Sequence, residues 1–214
     1  MNQQPESLAE KAYRLIEEMI VTLELPPGSS FSESDLSQKL DIGRTPIREA
    51  LQRLSAERLV SMLPRRGMII SEINIADHLA LLETRRVLDR LIASRAARRA
   101  TQSRRDELKE LADAMIVTAL DRDLTAFMRL DRNADRIMEA AARNAFAVRA
   151  CASLHAHCRR FWYMYQENGD LGASAKLHAG VMSAVANSDE IEASTASDRL
   201  LDYLDQFTRS ALDL

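Results

Sequence analysis

Apolar residues recur along this chain with a helical period, and the places where the period stops divide it. Between Ser7 and about Leu23, the residues Leu8, Ala12, Leu15, Ile16, Met19, Ile20 and Leu23 share one helix face. Ser7 and Glu10 predict a capping box at the start of that helix, and Leu25-Pro26-Pro27-Gly28 ends it. A short helix with a similar start is expected over Ser32-Glu33-Ser34-Asp35-Leu36-Ser37-Gln38-Lys39-Leu40. In the next segment, Gly43 to Leu54, the residues Ile47, Ala50, Leu51 and Leu54 fall at i, i+3, i+4 and i+7. Thr45 is expected as its N-cap, with Pro46 at the first helical position, where a missing N–H costs nothing. The pattern then changes. Leu59–Leu63 and Met68–Ser71 are short apolar runs around Pro64-Arg65-Arg66-Gly67, which predicts a β-hairpin with a basic tip. Helix, turn, helix, hairpin is the order of a winged helix-turn-helix.

Beyond the hairpin the helical period dominates. Helices are predicted near 75–100, 103–121, 123–142, 144–166, 172–186 and 189–212, with cap or turn residues at every break. All five prolines lie at or before Pro64, and no glycine occurs between Gly67 and Gly169. This shift places a boundary near residues 71–76. The chain is expected to be mostly α, with a winged helix-turn-helix over 1–73 and an all-α six-helix bundle over 74–214.

Hydrophobic content of 46% is enough for a core, and aromatic content of only 5% suits a bundle. The net charge of −3 argues against a nucleic-acid binder until its distribution is considered. Residues 44–66 hold six arginines (44, 48, 53, 58, 65, 66) against Glu49 and Glu57, a local +4. Arg44, Thr45 and Arg48 crowd the start of one helix and point away from its apolar face. Arginines one turn apart there can bind phosphate or fork onto the O6/N7 edge of guanine. Cys151 and Cys158 form no disulfide framework. With no apolar run of transmembrane length and no signal-peptide core, a cytoplasmic protein with no membrane partner is expected.

From Leu25-Pro26-Pro27-Gly28 through Gly43-Arg44-Thr45-Pro46-Ile47-Arg48-Glu49-Ala50-Leu51 to Pro64-Arg65-Arg66-Gly67, the chain resembles the GntR family of bacterial transcription regulators. The resemblance extends over nearly the whole chain, to the FadR-like subfamily. With six helices expected, the C-terminal half is similar to the shorter, VanR-like branch of its FCD-type effector domains. It implies a dimeric, ligand-responsive regulator. It also implies DNA contacts from Arg44, Thr45, Pro46 and Arg48, and from a wing tip at Arg65, Arg66 and Gly67. Where the family has an arginine near the start of the second helix, this chain has Ser34, so one contact is either missing or replaced by a hydroxyl.

The resemblance further implies a metal held by an Asp, a His four residues later, and two later His. The matching positions are Asp131, Asp135, His178 and Leu200, so the set becomes two carboxylates and one imidazole. Residues at i and i+4 share a helix face, and a hard divalent ion with water ligands could use Asp131, Asp135 and His178. The alternative pairs the two carboxylates with arginines such as Arg132 or Arg136, or with solvent. Cys151, His155, Cys158, Trp162 and Tyr165 recur at 4, 3, 4 and 3 and share another face. That pattern fits a core or pocket-lining stripe better than a closed zinc site. His157 is expected to point away from it, into solvent. An acidic effector needs a cation. Arg85 and Arg86, in a stretch similar to the family's Glu-x-Arg signature, and Arg159 and Arg160 are the candidates.

The expected function is control of a palindromic operator by a homodimer whose DNA affinity responds to a small, anionic metabolite. Arg85, Asp131, Asp135, His155, Arg159, Trp162 and His178 are the expected effector residues. Two other readings compete with it: a metal-dependent hydrolase built on Asp131, Asp135 and His178, and a bundle that serves dimerisation alone. The first lacks a nucleophile elbow, a phosphate loop and a second metal cluster.

Overall fold

The structure, a computed structural model, describes residues 6–63 and 67–211. It divides into two compact units, Met1–Ile73 and Asn74–Leu214. The first holds α1 (Leu8–Val21), β1 (Ser30–Phe31), α2 (Glu33–Leu40), α3 (Arg44–Ala56), β2 (Val60–Leu63) and β3 (Gly67–Ile70). Ser7 caps α1 by accepting from the Glu10 amide at 3.1 Å. Ser32 caps α2 in the same way through Asp35. The strands form one antiparallel sheet in the order β1-β3-β2, with Val60 opposite Ile70 and Ser30 opposite Ile69. The two-residue β1 is too short for any periodicity to reveal. Gly28 takes φ +74° after the two prolines, and its amide donates to Ile70 O at 2.9 Å, which brings β1 alongside β3. Ile16, Ile20, Leu36, Ile47, Leu51, Leu54, Leu59 and Ile70 are buried and form this unit's core.

The α2–α3 turn is fixed locally. Asp41 closes α2 in the left-handed region, and Ser37 Oγ donates to Ile42 O at 2.7 Å. α3 begins two residues earlier than expected. Gly43, not Thr45, is the N-cap, and no side chain caps the helix. Pro46 therefore sits third in the helix, still among the first-turn positions whose N–H groups have no intrahelical partner.

The second unit contains α4 (Ile75–Arg99), α5 (Gln102–Leu120), α6 (Leu124–Ala142), α7 (Ala145–Tyr165), α8 (Leu171–Ala186) and α9 (Glu190–Ser210). A 3-10 turn over Gln166–Asn168 follows α7. The side chains of Asn74, Asp123, Asn144, Asp170 and Asp189 accept first-turn amides, so these helices start where the sequence offers short polar caps. α4 runs through the bundle against α9, α6 and α7, while α5 packs on α8 and α6. Buried alanines such as Ala93, Ala96, Ala97, Ala141 and Ala142 let these helices approach closely. A second core of Phe161, Trp162 and Phe207 closes one side, with Trp162 and Phe207 ring centroids 4.3 Å apart.

Candidate nucleic-acid interface and effector cavity

α3 turns Ile47, Ala50, Leu51 and Leu54 into the core, which forces Arg44, Thr45 and Arg48 outward; all three are exposed. The uncapped first turn leaves backbone N–H groups free beside two cationic side chains, an arrangement suited to phosphate. Ser34 is exposed at the start of α2, and its hydroxyl lies 2.8 Å from Ser32 Oγ. Gly67 is exposed with φ +78°. Arg65 and Arg66 lie outside the described residues.

Two arginines of the basic segment have roles the sequence did not show. Arg53 lies 3.7 Å over the Tyr13 ring and pairs with Glu10 at 3.0 Å and Glu57 at 3.2 Å. It ties α3 to α1 and drops out of the basic patch. Arg48 is gripped by Glu33 of α2, with Nη2 at 2.8 Å and Nε at 3.1 Å from its carboxylate. That contact holds the Glu33 carboxyl below its usual range. Glu33 thus orients Arg48 and would have to yield to any phosphate or base that took it. Glu33→Gln is expected to tighten DNA binding of any sequence and to steepen its salt dependence by up to about one unit of log K against log salt. Anisotropy titrations at several salt concentrations check this; unchanged affinity and slope contradict it.

In the second unit, a cavity enclosing about 520 Å³ of space, part of it open to solvent, lies among α4, α6, α7, α8 and α9. Asp89, Asp131, Asp135 and Glu139 line it, against Arg85, His155 and His178. A second cavity of about 300 Å³ shares Arg85, Asp131 and His178 and adds Arg159, Trp162 and Ser174. The seven expected effector residues thus divide between two adjoining spaces. Arg86 lines neither: it bonds to Asp202 at 2.7 Å and joins α4 to α9. Arg160 is 2% exposed, inside the core. His157 is half-buried rather than exposed.

Most of the charges in these walls are paired across helices. Arg159 Nη1 reaches Asp135 at 2.7 Å and Asp131 at 3.2 Å. A cation shared by the two carboxylates is therefore an α7 residue, a partner that the sequence did not reveal. Arg85 Nη2 binds Asp89 at 2.8 Å. His155 places Nε2 2.8 Å from Asp89 and Nδ1 3.1 Å from Asp135, so both ring nitrogens face carboxylates. Cys151 Sγ lies 2.9 Å from Asp89 Oδ1 and 3.1 Å from His155 Nε2. Asp89, Cys151 and His155 offer metal-type donors within 4.8 Å of one another, but as they stand they form a hydrogen-bonded set that Arg85 neutralises. Asp89 was not singled out in the sequence, because beyond Arg85 on its own helix its partners Cys151 and His155 come from α7. His178 sits 3.3 Å from Asp131 through Nε2, and its Nδ1 meets Ser174 O at 2.9 Å.

These contacts set the protonation. Burial disfavours a charged His155, but Asp135 and Asp89 outweigh it and raise its pKa well above the ordinary value. His178 is raised likewise, burial being overcome by Asp131. Burial also works against ionised Asp131 and Asp89, yet His178 and Arg159 for the one, and Arg85 and His155 for the other, hold both below the usual carboxylate range. The stabilisation from His155 and His178 is complete below the unfolded value of about 6.5 and is lost as pH rises through the higher folded values. His78, pushed down to about 3 by burial, opposes folding only below about 6.5. Cys151, pushed up to about 11, weakens the fold only above the ordinary thiol range near 8.5. Between about pH 6.5 and 8, raising the pH should therefore destabilise this unit. Urea denaturation followed by Trp162 emission checks it, and stability that holds or rises over that interval contradicts the doubly bonded imidazolium.

Residues 8–70 match the bacterial regulatory proteins of the gntR family, and residues 80–203 match the FCD domain. The HTH-type transcriptional repressor RspR of Escherichia coli (strain K12) is 26% identical over 155 residues, 72% of this chain and 68% of that protein. An uncharacterized HTH-type transcriptional regulator in the TAR-I ttuE-ttuC' intergenic region of Agrobacterium vitis is 33% identical over 134 residues, 61% of this chain and 78% of that one. The solved structure of E. coli McbR/YncC matches with a TM-score of 0.82 at 15% identity, over 96% of this chain and 99% of that one, a likeness of fold. Among the described residues, no helix is long and apolar enough to cross a membrane.

Proposed function

This chain belongs to the gntR family of bacterial regulatory proteins and is a transcriptional regulator with an FCD effector-binding domain, and on that premise we propose that a homodimer binds a palindromic operator with an affinity set by a small organic acid. Its family and relatives are transcription regulators, not enzymes. Residues 1–73 serve DNA, and residues 74–214 serve effector binding and dimerisation. The observation that carries this reading is the first turn of α3, where Arg44, Thr45 and Arg48 stand exposed on a helix whose other face is buried. Arg44 and Arg48 read or clamp the major groove, and the wing residues Arg65, Arg66 and Gly67 reach the neighbouring groove. A two-fold dimer matches a palindrome, because each half-site meets the same surface.

The charge balance of the two cavities favours one place for the acid group. The larger space is lined by four carboxylates, whereas the smaller one sets Arg85, Arg159 and His178 against Asp131 alone. Trp162, which lines the smaller space, has a buried Nε1–H without a hydrogen-bond partner. A carboxylate there gains two guanidinium groups and the indole donor. To act as a switch, the acid must bind the DNA-competent arrangement and its alternative with different affinity.

Mobility shift on DNA from upstream of the chain's own gene tests the reading. A saturable shift specific to a palindrome-containing probe, altered by one of a panel of small carboxylic acids, is expected. A shift no stronger than that of scrambled DNA contradicts operator binding. A panel that neither alters the shift nor raises the melting temperature leaves the bundle as a dimerisation domain.

A further inference from the structure

Asp131 and Asp135 stand one turn apart on α6 with side chains only 15% and 14% exposed. Two carboxylates in that position repel each other unless a cation stands between them. Here that cation is a side chain, since Arg159 Nη1 bonds to the Oδ2 atoms of both. We propose that Arg159 takes the place of the divalent ion that the family resemblance implies, so that this cavity is a metal-independent site whose fixed positive charge comes from α7.

The remaining donors point the same way. The other oxygen of Asp131 is turned to His178 Nε2, 3.3 Å away, and His178 Nδ1 is engaged with Ser174 O. Leu200, at the position of a fourth ligand, lines the cavity with no donor atom. An ion placed between Asp131 and Asp135 would have to expel Arg159, which is itself only 7% exposed, and strand its guanidinium in the core. Donor number, donor chemistry and charge all disfavour an ion here. The proposal rests on the reading of this region as the effector site in one respect: the acid is held by guanidinium hydrogen bonds rather than by chelation, so chelators leave effector and operator binding unchanged.

The test is elemental analysis of the full chain, expressed with added zinc and nickel and purified without chelator or metal resin. Far less than one ion per chain is expected, with no rise in melting temperature when Zn²⁺ or Ni²⁺ is added. Arg159→Ala combined with Leu200→His removes the resident cation and adds a fourth donor; it should take up one ion per chain and melt higher with it. Leu200→His alone, with Arg159 kept, should stay free of metal. A wild-type chain holding a stoichiometric ion that Asp131→Asn removes overturns the proposal, as does a folded double variant that takes up none. Should the double variant fail to fold, as judged by Trp162 emission, the wild-type stoichiometry decides alone. Operator binding is measured separately, so its failure counts against the proposed function and leaves the metal result standing.

Discussion

Arg159→Ala is expected to destabilise the C-terminal unit by about 3–5 kcal/mol, because it removes the guanidinium that two buried carboxylates share and leaves each with only an imidazole, His178 for Asp131 and His155 for Asp135. Asp131 and Asp135 lie on one helix, so the fold has no means of separating them. The guanidinium reaches both from α7 and is 7% exposed, so water screens the contact poorly. Trp162 is the sole tryptophan and is 4% exposed in this unit, which makes its emission a local report of unfolding. Urea denaturation gives the loss directly. Adding Asp131→Asn and Asp135→Asn to the Arg159→Ala chain should recover most of it, since the uncompensated charge is what costs stability. A loss below about 1 kcal/mol, the range of an exposed pair, would show that the network is not a buried one.

The second large effect falls on DNA. Arg44→Ala and Arg48→Ala should each weaken operator binding roughly 5- to 150-fold if the guanidinium forks onto a base. Both side chains are exposed, so the fold should survive the change. Arg53→Ala is the contrast: its guanidinium is engaged with Tyr13, Glu10 and Glu57, so it should weaken the α1–α3 packing before it touches DNA recognition. Circular dichroism and anisotropy on the same samples separate the two. Operator affinity unchanged in both Arg44→Ala and Arg48→Ala removes the role assigned to α3.

Apart from α3, the helices were legible because each announces itself twice, by an apolar stripe and by a short polar cap. Asn74, Asp123, Asn144, Asp170 and Asp189 all sit at breaks in the period and all cap a helix. Thr45 misled because a threonine before a proline has the composition of a cap, whereas Gly43 takes that position without a side-chain bond. β1 escaped because two residues carry no alternation. What the sequence withheld about the sites has one cause. Spacing shows which residues share a face of one helix but not which helix lies opposite. The i, i+4 pair Asp131 and Asp135 was visible; its partner Arg159, twenty-four residues beyond Asp135, was not. The same holds for Glu33 with Arg48 and for Asp89 with His155, where the contacts join separate helices. The two neighbouring arginines at 85 and 86 looked alike, yet one lines both cavities and the other holds α9.

The role proposed for α3 is to select a DNA sequence. Its most direct test is a competition titration, at one fixed salt concentration, between a palindromic segment from upstream of the chain's own gene and the same bases scrambled. A preference of roughly a thousandfold or more for the palindrome is expected, cut roughly 5- to 150-fold in Arg48→Ala. Equal affinity for the two duplexes would contradict it.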